Sequence, residues 1–196
     1  QGFGVFGAMA FMVAIPVSWK MLVLVHEVGH ALAGRAAGMW LFAIGVGPWR
    51  GQRGADGWRF WRARHVKGVG GFAVMLPRDG EVNPMTRTVY LLGGPCANLI
   101  VALACAWAAS LLEADSVVGQ TLLLVAAVGA LMGAINLIPF QVRGWSSDGR
   151  QLWALWRGLP EALVSERLLR LGGLSMVGVR PRDWPEFNAV DADDNR

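Results

Sequence analysis

The chain has 196 residues, of which 54% are apolar and only 16% charged, and its mean hydropathy is +0.40. Soluble domains carry about 25% charged residues, so the composition points to a membrane protein, and the length allows one compact domain. A net charge of +4 would suit nucleic acid, but the arginines sit in loops between apolar runs, with no basic helix or aromatic RNA-binding motif, which argues against that partner.

Ten tryptophans stand against one tyrosine, and indole rings favour the boundary between water and lipid. Cys96 and Cys105 have no zinc or redox spacing and read as buried free thiols. The apolar start lacks the basic beginning of a signal peptide.

Three apolar segments reach the roughly 20 residues needed to cross a bilayer. The first covers about 5–33 and contains Pro16, which predicts a kinked helix or two shorter ones. The others cover about 89–112 and 117–139. Between the first two lies a β-rich loop, about 40–76. Its short runs Trp40 to Val46, Trp58 to Arg64 and Val69 to Met75 are bounded by Gly47-Pro48, Gly54, Gly57, Gly68 and Gly70-Gly71, which predicts short strands with tight turns. Such strands need support from the helices or the membrane.

After Pro139 the chain turns amphipathic. Leu152, Trp153, Leu155 and Trp156 share a helical face, and Pro160 opens a second helix that Gly172-Gly173 is expected to stop. Arg157, Glu166, Arg167 and Arg170 make the segment 150–172 interfacial rather than spanning. The residues 188–196 read as a solvated tail. The whole chain is expected to form a single domain.

Charge sets the orientation. Arg50, Arg53, Arg59, Arg62, Arg64, Lys67 and Arg78 follow the first span, and Arg143, Arg150, Arg157, Arg167, Arg170, Arg180 and Arg182 follow the third. The link between spans two and three carries only Glu113 and Asp115. The positive-inside rule then puts the N-terminus outside, with the β-rich loop and the C-terminal segment inside.

His26-Glu27-Val28-Gly29-His30 is an HExxH sequence. On a helix, positions i and i+4 lie one above the other, so both imidazoles can reach one zinc ion, with Glu27 beside them as a general base. Three ionisable groups within an apolar helix are costly there, which favours a functional role. A third ligand should lie near the same inner end. His65, among basic residues, reads as solvated, and Glu113 and Asp115 fall on the outer side. Asp148 falls on the inner side, where the alternatives are a metal ligand and a helix N-cap.

Further motifs follow in order: Phe42-Ala43-Ile44-Gly45-Val46-Gly47-Pro48, Gly70-Gly71-Phe72-Ala73-Val74-Met75, Gly94-Pro95-Cys96-Ala97-Asn98, Asn136-Leu137-Ile138-Pro139 and Asp148-Gly149. With the HExxH helix, they make residues 20 to 155 resemble the site-2 protease family of intramembrane zinc metalloproteases. Ser147 before the aspartate and Arg150 after Gly149 depart from the family's pattern, and no PDZ domain separates the second and third spans.

The resemblance implies an all-α membrane protein. Its three-transmembrane-helix core would carry a small membrane-associated β-hairpin insert and C-terminal interfacial amphipathic helices. One zinc ion per chain would be held by His26, His30 and Asp148, with Glu27 catalytic. Asn98 and Asn136 become candidates for holding the substrate backbone or oxyanion, with packing between helices as the alternative. Gly93, Gly94 and Pro95 are expected to allow close helix approach and a break near the site. The implied substrates are membrane proteins with a transmembrane segment, cut within the lipid bilayer of a prokaryotic inner membrane, and a homo-oligomer is left open. Competing readings are an inactive adaptor that binds transmembrane helices and a small channel or transporter.

Overall fold

The structure is a computed structural model. It describes residues 5–54, 56–63, 70–78, 83–113, 116–142, 145–176 and 178–180, with the backbone alone at 5–11 and 176. His65, Val69 at the start of the third expected strand, and the expected tail at 188–196 lie outside the described residues.

Three long helices dominate. Helix α1 (Val5–Ala36) runs unbroken through Pro16. Helix α2 (Pro84–Ser110) begins with Pro at its first position, where the missing N–H costs nothing, and is capped by Asn83, whose side chain accepts from the Met85 N–H at 2.8 Å. Helix α3 (Val117–Leu137) starts at the cap Ser116 and stops at Ile138, which is extended at ψ 130, as a residue before proline prefers. The most apolar stretches of these helices have mean hydropathies of 1.4, 1.8 and 2.0, yet only 33, 28 and 22% of each is buried. Helices this apolar and this bare are long enough to cross a membrane.

Helix α2 is the middle of the bundle. At Gly29 and Gly93 the backbones of α1 and α2 touch: a Cβ on Gly29 would fall 2.5 Å from the Gly93 carbonyl oxygen, and the reverse holds for Gly93. Small residues at helix contacts permit this approach, which matters in lipid because apolar burial between helices gains little there. The helix break expected at Gly93-Gly94-Pro95 is absent; α2 continues through Pro95, which is fully buried. Helices α1 and α3 meet through side chains, with Leu22, Val23 and Met132 forming a small core. Cys96 is exposed and Cys105 half-buried, which corrects the expectation of buried thiols, since both sit on outward faces of α2.

At the end of the bundle where α1 stops and α2 starts lies a four-stranded antiparallel sheet. Its strands are β1 (Met39–Val46), β2 (Trp49–Gly54), β3 (Gly57–Arg62) and β4 (Gly71–Pro77), in the order β3-β2-β1-β4. Strand β2 was not expected. Its Arg50, Gln52 and Arg53 hide the strand pattern, while Gly47 at φ 57 and Pro48 form a two-residue turn linking Val46 to Trp49. Strands β1 and β4 pack on α1 through buried Met39, Ala43, Ala73 and Met75, whereas every residue of β3 is exposed.

A short hairpin, β5 (Gln141–Val142) and β6 (Trp145–Ser146), leads from α3 into α4 (Asp148–Arg157), and α5 (Pro160–Met176) follows. Helix α5 runs through Gly172 and Gly173 instead of stopping there. These glycines let it lie against β4: a Cβ on Gly173 would sit 3.0 Å from the Pro77 carbonyl oxygen. Buried Arg87 of α2 ties α5 down, donating to Ser165 Oγ at 2.7 Å and to the Ala162 carbonyl at 3.3 Å.

Candidate metal centre

Helical spacing stacks His26 and His30 on one face of α1. Their rings meet edge-on at 4.7 Å between centroids, and their Nε2 atoms are 3.1 Å apart. His26, Glu27 and His30 are 7, 7 and 4% exposed. The imidazoles press directly on α2 at Gly94, where a Cβ would lie 2.7 Å from His26 Nε2 and would overlap His30 as well. Gly94 is therefore required by the space the two rings occupy.

Asp148 arrives from across the chain. Ser147, not Asp148, is the N-cap of α4: its hydroxyl accepts from the Arg150 N–H at 3.0 Å and donates to the Ile138 carbonyl at 2.7 Å. That one hydroxyl starts the helix and fastens it to the end of α3, which leaves the Asp148 carboxylate free to face the imidazoles. Gly149 makes the same junction possible, because a Cβ there would overlap the Leu137 carbonyl.

The result is a cluster with Oδ2 of Asp148 3.1 Å from His26 Nε2 and Oδ1 3.4 Å from His30 Nε2. The ring nitrogens facing away from the cluster are also engaged. Nδ1 of His30 lies 2.7 Å from the Tyr90 carbonyl, so it carries the proton and Nε2 keeps a lone pair. The Gly94 N–H also approaches that Nδ1 at 3.3 Å; the shorter contact decides the tautomer. Nδ1 of His26 lies 3.3 Å from the Asn98 side-chain amide, whose oxygen is the one buried side-chain atom without a partner among the described residues. Turning that amide over lets the oxygen accept from His26 Nδ1–H and leaves His26 Nε2 with its lone pair too.

Three lone-pair donors this close repel unless something positive lies among them. The donor set suits a metal ion, since the three groups offer ligand atoms within 4.8 Å of one another. Their 3.1, 3.1 and 3.4 Å separations match the edge of about 3.3 Å of a tetrahedron with arms of about 2.0–2.1 Å, the size zinc requires.

A cavity of about 320 Å³ opens beside the cluster, lined by Glu27, Gly71, Tyr90, Asn136, Trp145 and Asp148 among others. The two asparagines differ in position. Asn136 lines the cavity and donates to the Met132 carbonyl of its own helix at 3.1 Å. Asn98 is 0% exposed and stands behind His26, away from the cavity. Gly94 packs on the rings, and Pro95 is buried within α2. Two residues at the site were not singled out from the sequence. Ser147 was visible only as a departure from a motif. Tyr90, the one tyrosine in the chain, lies four residues before Gly94 and hence on the same face of α2.

A family model, peptidase family M50, matches residues 11–115, a little over half of the chain. That stretch contains the HExxH helix, the sheet and α2, and ends before Asp148. No curated protein matches the chain. No solved structure matches it either.

Proposed function

The chain belongs to peptidase family M50, the site-2 protease family, and on that footing we propose that it is a zinc-dependent endopeptidase cutting the transmembrane segments of other membrane proteins. The reading is carried by the convergence of His26, His30 and Asp148 within one cluster, with Glu27 next to it on the wall of an open cavity. His26 and His30 would hold zinc through Nε2, and Asp148 through its carboxylate. A bound zinc ion supplies Lewis-acid polarisation of the scissile carbonyl and of water.

The chain's own groups do the rest. Glu27 takes a proton from the attacking water as its oxygen adds to the carbonyl carbon. The same carboxyl then passes that proton to the nitrogen as the C–N bond breaks, which leaves a carboxylic acid and an amine; the acid's proton then moves to the amine, giving carboxylate and ammonium. Asn98 holds His26 in the tautomer that exposes Nε2, and the Tyr90 carbonyl does so for His30. Asn136, on the cavity wall, is available to a substrate backbone.

A substrate helix hides its peptide groups, so cleavage needs an extended segment. The cavity-side edge of β4 offers backbone for such a segment to pair with. The orientation follows from the positive-inside rule: the sheet, α4 and α5 lie on the inner side, with α4 and α5 at the lipid boundary. Their arginines and the exposed Trp153 and Trp156 support this.

Zinc content and cleavage of a model transmembrane peptide, measured on wild type, His26→Ala and Asp148→Ala, test the reading. Wild type should carry one zinc and cut, and both variants should lose metal and activity together. Zinc retained in full by both variants would sink the ligand assignment, and a zinc-loaded wild type that cuts nothing would favour the adaptor.

A further inference from the structure

We propose that the hydroxyl of Tyr90 limits the pairing of an extended substrate with β4 to Gly71, and so ends the ladder beside Glu27. This rests on the peptidase reading above. Hydrogen-bonding direction alternates along an antiparallel strand, and one bond fixes its phase here. The Gly47 N–H donates to the Gly70 carbonyl at 3.0 Å, so Gly70, Phe72 and Val74 turn their backbone groups toward β1. Gly71 and Ala73 turn theirs to the other side, which β1 does not cover. No irregularity interrupts this stretch, since the register of β1 against β4 shifts only between Leu41 and Ala43.

Of the two outward carbonyls, one is already taken. Tyr90 Oη donates to the Ala73 carbonyl at 2.7 Å, so the phenol stands where the next residue of an added strand would place its N–H. Beyond that point α5 lies over the strand at Leu76 and Pro77, both buried. The usable edge is thereby reduced to Gly71, and Gly71 lies directly over Glu27. A strand pairing here is therefore held at Gly71 alone, whereas with Ala73 free the ladder would run on by one more pair, two residues along. Tyr90 is suited to this task because its backbone carbonyl holds His30 while its ring reaches β4, which ties the edge to the metal cluster through one residue.

The test uses the full chain in lipid vesicles, a transmembrane peptide substrate and product identification by mass spectrometry. Tyr90→Phe removes only the hydroxyl. It should keep its zinc and make a second substrate amide, two residues from the first, sensitive to N-methylation, whereas a single sensitive amide in a zinc-loaded variant would overturn the proposal.

N-methylation along the substrate checks the same point on unaltered protein. Wild type should show a single sensitive amide near the cut, slowed about 2–10-fold as expected for one lost hydrogen bond. Two sensitive amides spaced by two would mean that Ala73 pairs as well, and would overturn the assignment even if Tyr90→Phe failed to fold. A wild-type chain that holds zinc yet cuts no peptide fails the peptidase reading itself, a result distinct from either.

Discussion

A Cβ placed on Gly71 would fall 2.6 Å from Oε1 of Glu27 and 2.7 Å from its Cγ. The strand edge and the proposed proton carrier thus share one contact surface, and no side chain fits between them. Because Val23 closes the other side at 2.9 Å, Glu27 has to move if Gly71 becomes alanine. We expect Gly71→Ala to keep its zinc while losing at least about tenfold in cleavage, since proton transfer depends on geometry. Metal content and rate measured on the same preparation decide it; unchanged cleavage would mean that Glu27 tolerates displacement.

Glu27→Gln keeps the shape and removes the base. Cleavage should fall by about 10²–10⁴-fold with zinc still bound, because Glu27 is not among the proposed ligands. Stripping the metal with a chelator should abolish cleavage in wild type, and added zinc should restore it. Near-normal turnover by Glu27→Gln would assign the base elsewhere.

Asn98 yields a prediction about the metal rather than the substrate. It is wholly buried and touches His26 at 3.3 Å. Asn98→Leu should weaken zinc binding by about 10–100-fold, the usual cost of losing such a partner. Asn98→Asp restores an acceptor for Nδ1–H and should recover most of that loss. Were Asn98→Leu to bind zinc as wild type while KM rose, the residue would belong to substrate binding instead.

Ser147 serves α4 and the end of α3 together. Ser147→Ala should cost about 0.5–2 kcal/mol for the cap and lower the thermal midpoint in detergent. Because Asp148 starts the same helix, zinc affinity should fall too, even though the ligands are untouched. A lower midpoint with unaltered zinc affinity would show that Asp148 is held by other contacts.

The long helices were legible in the sequence because apolar length needs no partner to be recognised: all three expected spans correspond to helices, within a few residues except at the start of α2, which begins at Pro84. The HExxH spacing was equally local. Features that depend on distant neighbours were harder to read. Strand β2 carries Arg50, Gln52 and Arg53, since it neither spans lipid nor packs on α1, so no apolar alternation marks it. Gly172 and Gly173 look like helix stops in isolation, but in the fold they are the face on which α5 meets β4. Tyr90 is silent in the sequence because its role comes from two bonds to residues 60 and 17 positions away. Topology alone left Asp148 between capping and metal binding, and the motif resemblance favoured the ligand; in the fold the cap position is filled by the neighbouring Ser147.

The contact at Gly29 and Gly93 has a mechanical corollary. Where two main chains abut, nothing can swing aside, so α1 and α2 behave as one rigid post. The joint between α1 and α3 consists of Leu22, Val23 and Met132, whose rotamers can turn outward, and the cavity lies along that joint, with Trp19 and Val23 on one bank and Met132 and Asn136 on the other. On the proposed reading, a substrate helix arriving sideways from the lipid would meet one yielding seam and one fixed wall.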